Sequence, residues 1–152
     1  MFSQTAEYAL RAAVYLAMHP EGLVGSETLA KETRVPHGYL SKVLNDLVSA
    51  GIAHSRRGPS GGFCLARPAT QITVLEVINA VDPIRRIATC PLGIPSHGTR
   101  LCRLHRRLDD AIATVETALS ASTLADMVER PGPRSECSFP LQPRIRRTSR
   151  SG

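Results

Sequence analysis

The sequence predicts a mainly α-helical protein with a small β wing: a winged helix-turn-helix domain followed by a long dimerisation helix. Three observations predict it. Two short helical segments meet at Val35-Pro36 with room for only a tight turn between them. The run Gly58-Pro59-Ser60-Gly61-Gly62 has the composition of a hairpin tip between two short strands. Residues 99–120 place apolar side chains at alternating steps of three and four, the period of a helix seam.

The 152 residues suffice for one domain with a core and an appendage. Aromatic residues make up only 4% and tryptophan is absent, so Ala, Leu, Val and Ile must build that core. Residues 3–19 form the first helix, with Ala6, Ala9, Leu10, Ala13, Val14, Leu16 and Ala17 as its apolar stripe. Glu7 lies early in it, where an acid suits the positive end of the helix dipole. Pro20-Glu21-Gly22 is a turn, and Leu23-Val24 reads as a short strand beside the wing. Ser26 is the expected N-cap of the second helix, which Val35-Pro36 ends by forcing an extended backbone. The third helix begins at His37; it buries Leu40, Val43, Leu44, Leu47 and Val48 and stops at Gly51.

Beyond the wing, Thr73-Val74-Leu75-Glu76 is a capping box opening a helix to about Val81, and Asp82-Pro83 stops it. Pro91, Gly93, Pro95 and Gly98 keep residues 84–98 irregular. Thr99 is the expected cap of the seam helix, whose apolar positions are Leu101, Leu104, Leu108, Ala111, Val115 and Ala118. Twenty helical residues span about 30 Å, more than this domain needs for itself, so the seam is expected to pair with a second copy. Ser122 is expected to restart a short helix to 128. The chain then divides into a winged domain (1–82), a loop (83–98), dimerisation helices (99–130) and a disordered basic tail (131–152).

The net charge of +6 is unevenly placed. The tail holds Arg134, Arg144, Arg146, Arg147 and Arg150 against Glu136. Between Arg34 and Arg67 the basic residues Arg34, Lys42, Arg56, Arg57 and Arg67 face one acid, Asp46. A recognition helix with a basic, glycine-rich wing points to double-stranded DNA: a helix reads base edges while cations hold phosphates. Ser26, His37, Tyr39, Ser41, Lys42, Arg56, Arg57, Ser60 and Gly61 are the candidate contacts. The alternatives are a winged-helix module that binds only protein, or a redox carrier. No nucleophile–base pair, phosphate loop or paired carboxylate supports an enzyme. No run is long enough to cross a membrane and no signal peptide is evident, so a cytoplasmic protein with reduced thiols is expected.

Pro36-x-x-Tyr39-Leu40-x-Lys42, Ser55-x-Arg57-Gly58-x-x-Gly61-Gly62-Phe63 and Leu65-Ala66-Arg67 resemble the Rrf-two family of bacterial regulators, the IscR and NsrR type. The resemblance runs from about Ser3 to about Glu129. It implies a homodimeric transcription factor, expected to be a repressor, and a two-fold dimer predicts an inverted-repeat operator. It also places a DNA-contacting arginine at Arg57.

The four cysteines are Cys64, Cys90, Cys102 and Cys137. Cys64 reads as a strand packing residue, and Cys137 lies in the tail. Cys90 opens the loop, and Cys102 falls in the first turn of the expected seam helix, where the dipole and Arg100, Arg103 and Arg106 favour thiolate. His105 follows at i+3 on the same side. The resemblance implies a two-iron two-sulfur cluster on Cys90, Cys102 and His105, with Glu7 donated by the partner subunit. The family's middle cysteine is replaced by Ser96, with His97 beside it. Zinc is the other candidate for two cysteines and a histidine, and two ordinary thiols are the third reading.

Overall fold

The computed structural model describes residues 2–128. The basic tail, its expected disorder and Cys137 lie outside the described residues. Helix α1 (Gln4–Met18) is the centre of the molecule. Ser3 caps it through a hydrogen bond from the Ala6 N–H to its Oγ (3.1 Å). Its small residues let neighbours approach on several sides: Ala6, Ala9, Ala12 and Ala13 are fully buried, together with Leu16.

Helices α2 (Ser26–Thr33) and α3 (His37–Ser49) meet at Arg34, which takes the left-handed conformation (φ 55°), before Val35 and Pro36. The α3 face Leu40, Val43, Leu44 and Leu47 is buried against α1 and α2, as its period predicts. Truncating Leu44 to alanine would cost about 2–5 kcal/mol. Gly51, at φ 72°, ends the helix in the way only glycine does without strain. Strands β1 (Ala53–Arg56) and β2 (Gly62–Leu65) form an antiparallel hairpin with Arg56 opposite Gly62. The expected third strand is a single bridge, in which Val24 and Phe63 exchange backbone hydrogen bonds of 2.9 and 2.8 Å.

That bridge corrects the start of α2. It holds the chain extended up to Gly25, which is the N-cap, so Ser26 is the first helical residue and makes no side-chain cap. Helix α4 (Val74–Val81) carries the predicted capping box of Thr73 and Glu76. After it the chain is irregular apart from a 3-10 turn at Pro95–His97.

Helix α5 (Arg103–Ser120) starts later than predicted. A turn in which the Arg100 N–H donates to the His97 carbonyl (2.9 Å) occupies the chain where Thr99 would cap. Cys102 is therefore the N-cap residue rather than part of the first turn. None of the α5 residues is fully buried, and Leu104 and Leu108 are 62% and 47% exposed. Helix α6 (Leu124–Val128) is capped by Thr123, not Ser122, because the Ser122 carbonyl accepts a hydrogen bond from the Val74 N–H (2.9 Å). Leu124 is fully buried, so this last helix returns to the core around α1.

Candidate functional site

Two regions hold the residues singled out from the sequence. The first is the surface shared by α3 and the wing. Because Leu40, Val43, Leu44 and Leu47 face inward, His37, Tyr39, Ser41 and Lys42 must face outward, and all four are exposed. Tyr39 is 57% exposed and leans on the Tyr8 ring at 5.9 Å. Lys42 pairs with Asp46 at 2.8 Å, one turn on. The exposed hairpin tip presents Arg56, Arg57, Gly58, Pro59 and Ser60. The Gly61 N–H donates to the Gly58 carbonyl (2.9 Å), closing the tip so tightly that a Cβ on Gly61 would collide with the Arg56 carbonyl oxygen.

A cleft of about 510 Å³ lies between this tip and the start of α2, and Ser26 and Arg56 both line it. The α2 N-terminus brings unpaired backbone N–H groups to the same cleft, an arrangement suited to an anion. Arg67 belongs elsewhere: it donates to the Gln71 carbonyl and to Glu76, both at 2.8 Å, tying the wing to α4. Among the candidate contacts the cations are therefore Arg56 and Arg57, with Lys42 shared with its acid.

The second region joins the loop to the start of α5. Cys102 Sγ lies 3.1 Å from His105 Nδ1, and Cys90 Sγ lies 3.7 Å from the same nitrogen. One donor atom from each of these three residues falls within 4.8 Å of the other two. His97 adds a contact that spacing alone did not assign, with Nδ1 3.5 Å from Cys90 Sγ. The His97 hydrogen bond, followed by one from the Leu92 backbone, holds the Cys90 thiol down to about 6. Glu7 does not belong to this group within the chain; its carboxylate pairs with Arg11 at 3.0 Å across one helical turn.

The loop is also clamped to α5 by residues that the sequence reading did not single out. Arg86 forks onto Asp109 at 2.7 and 2.5 Å, and the Ile87 N–H donates to the same carboxylate (2.8 Å). The guanidinium first, then the Ile87 N–H, holds the Asp109 carboxyl down to about 2, and Asp109 in turn raises Arg86 above its ordinary value. Beside this clamp an open apolar groove of about 520 Å³ runs between Phe2, Ile78, Ile84, Leu108 and Val115.

A helix-turn-helix with a wing and an appended helix is the architecture of a class of transcriptional regulators, and the comparisons resolve which. A family model described as Rrf2, an iron-dependent transcriptional regulator, matches residues 2–130. The chain belongs to the Rrf2 family. An HTH-type transcriptional regulator of Aquifex aeolicus (strain VF5) is 29% identical over 131 residues, covering 84% of this chain and 91% of that protein. The structure of T. potens IscR superposes with a TM-score of 0.71 at 26% identity, covering 84% of this chain and 85% of that one. The oxidized form of Staphylococcus aureus CymR superposes at 0.66 with 25% identity, covering 87% and 98%. The mainly helical fold with its two-stranded wing, read from the sequence, agrees with these structures.

A two-iron cluster does not fit the donors as they stand. Its terminal ligands are divided between two irons, so any three of them include a pair separated by the whole iron–iron vector. Here all three donor atoms crowd within 4.8 Å, and the position of a further thiolate is Ser96.

Proposed function

We propose that this protein is a homodimeric, operator-binding transcriptional repressor whose DNA affinity is set at the Cys90, Cys102 and His105 site. The observation that carries the DNA half is the shared exposure of the α3 outer face and the wing tip on one winged-helix scaffold. In this reading the start of α3 enters the major groove, and His37, Tyr39 and Ser41 reach base edges or phosphates. Lys42 and Ser26 position the backbone, and Arg56, Arg57, Ser60 and the Gly61 amide hold the flanking phosphates or a minor groove.

The dimer half is supported by the apolar α5 surface. Leu104 and Leu108 are large, exposed and one helical turn apart, a poor surface to leave in water. Pairing two copies through α5 gives a two-fold axis and therefore an inverted-repeat operator. The sensor half is supported by thiol and imidazole donors gathered at the end of the same helix. The protein acts in the cytoplasm, where those thiols stay reduced unless ligated or oxidised. Among the described residues, no helix is long and apolar enough to cross a membrane.

Selection of bound sequences from a random pool, followed by footprinting, tests the reading. The expected result is a symmetric site whose half-sites lie one or more helical turns apart. An asymmetric site, or DNA affinity that does not depend on sequence, refutes it.

A further inference from the structure

We infer that Cys90, Cys102, His105 and His97 form a mononuclear tetrahedral site for one divalent cation of the zinc class, rather than a seat for an iron–sulfur cluster. The inference deepens the sensor half of the function proposed above and rests on that reading only for its consequence at DNA.

The distances carry it. With zinc–sulfur and zinc–nitrogen bonds of about 2.3 and 2.05 Å, a tetrahedral ion separates a thiolate sulfur from an imidazole nitrogen by about 3.5 Å. The three sulfur–nitrogen contacts are 3.1 Å (Cys102–His105), 3.5 Å (Cys90–His97) and 3.7 Å (Cys90–His105), which bracket that edge. Cys90, Cys102 and His105 offer donor atoms within 4.8 Å of one another, whereas His97 reaches the group through Cys90 alone and turns in with the loop to complete the set. In the ion-free protein the same contacts are hydrogen bonds. An ion entering between them takes the place of the protons shared across these contacts, which leave to solvent.

The donor set has the right chemistry as well. Two thiolates and two imidazoles neutralise a divalent charge and satisfy a closed four-coordinate site from a single chain. The backbone holds them there by different means. Cys102 is the N-cap of α5, and His105 is three residues into the helix, so their relative placement is fixed by helical geometry. His97 ends the 3-10 turn at Pro95–His97, and the hydrogen bond from the Gly93 N–H to the Cys90 carbonyl (3.3 Å) folds the loop back over the site. With His97 as the fourth ligand, Glu7 of a partner subunit is not required, and its pairing with Arg11 can persist.

The experiment reads metal, not DNA. The full chain is purified anaerobically, and zinc, iron and acid-labile sulfide are counted per chain. The ion is then exchanged for cobalt(II), whose absorption bands report tetrahedral geometry and thiolate ligation. We expect one zinc per chain, no sulfide, and a cobalt spectrum of two thiolates and two imidazoles. Cys102→Ser should lower zinc affinity more than about 100-fold, beyond the range of a change outside the ligand shell. His97→Ala should keep the ion but shift the cobalt spectrum as water replaces nitrogen, while Glu7→Gln should change neither. Circular dichroism melts of each variant separate ligand loss from unfolding. Two irons and two sulfides per chain overturn the inference, as do a metal-free protein, an unshifted His97→Ala spectrum and metal loss in Glu7→Gln. Because the count uses no DNA, it can fail while operator binding stands, and the reverse.

Discussion

Replacing Gly61 with alanine should disable the wing while leaving the rest of the fold intact. Its added Cβ would meet the Arg56 carbonyl oxygen and lie 2.9 Å from the Gly58 carbonyl oxygen; both are backbone atoms that no side-chain rotation can move aside. Relieving the clash opens the tip, giving up the Gly61–Gly58 hydrogen bond and the Arg56–Gly62 pairing at the end of the hairpin. At about 0.5–1.5 kcal/mol each, these bonds amount to roughly 1–3 kcal/mol. A two-stranded hairpin has little stability to lose beyond that. The core around α1 and α3 does not include the tip, so the loss is confined to these bonds and Tm should fall by about 2–12 °C, at roughly 2–4 °C per kcal/mol. If Arg56 and Arg57 each hold one phosphate, operator affinity should drop about 10–100-fold. The slope of log affinity against log salt should also flatten by roughly 2. Fluorescence anisotropy across a salt series measures both. Wild-type affinity with an unchanged slope refutes the argument, and so does a loss of Tm large enough to show that the tip belongs to the core.

Three further outcomes follow from the same geometry. Arg57→Ala should weaken operator binding by about 1–3 kcal/mol in an anisotropy titration, with no change in circular dichroism. Leu108→Glu places a charge in the exposed α5 seam and should convert the proposed dimer to a monomer in analytical ultracentrifugation, with the melting of the winged domain little changed. Asp109 has a carboxyl pKa of about 2, against about 3.9 for an unpaired aspartate. Its contribution is therefore complete above the unfolded value and is lost only as pH falls toward 2. The Ile87 amide resonance should stay fixed between pH 7 and pH 4, and movement near pH 4 would show that the clamp does not form.

What could be read from the sequence was whatever a local pattern dictates. Leu40, Val43, Leu44 and Leu47 share a face because helical period alone puts them there. Thr73 and Glu76 cap α4 because both halves of the box lie within four residues. The helix starts failed where distant pairing overrode a good local cap. Ser26 lost its role to Gly25 because Val24 pairs with Phe63, and Ser122 lost its role to Thr123 because Ser122 accepts from Val74. Thr99 was displaced by a turn next to Gly98, which sits at φ 53°. At the site, Cys102 and His105 were legible as an i, i+3 pair. The approach of His97 to Cys90 was not, since it depends on a 3-10 turn inside a loop whose glycines and prolines announce only irregularity. Arg86 and Asp109 lie 23 positions apart, beyond the reach of any periodicity.

The clamp also constrains how a signal at the cysteines would reach DNA. On the α5 side, Asp109 fixes the loop at Arg86 and Ile87, and the Ile84 N–H donates to Asn79 of α4 (3.0 Å). Residues before about 88 are therefore tied to both helices whether or not Cys90 is ligated. Helix α4 packs on α1 and α3, and the inner face of α3 is fully buried, so the recognition helix has little freedom to shift within its own domain. The segment free to respond is the stretch from Cys90 to Cys102, which leads straight into α5. Ligation there would change the start of α5 more readily than the shape of the winged domain. Under the proposed pairing, the quantity that changes is the distance and angle between two recognition helices. The shift in operator affinity can be no larger than the difference in ion affinity between the two arrangements. A signal acting this way alters the preferred spacing of half-sites and leaves the bases read within each half-site unchanged.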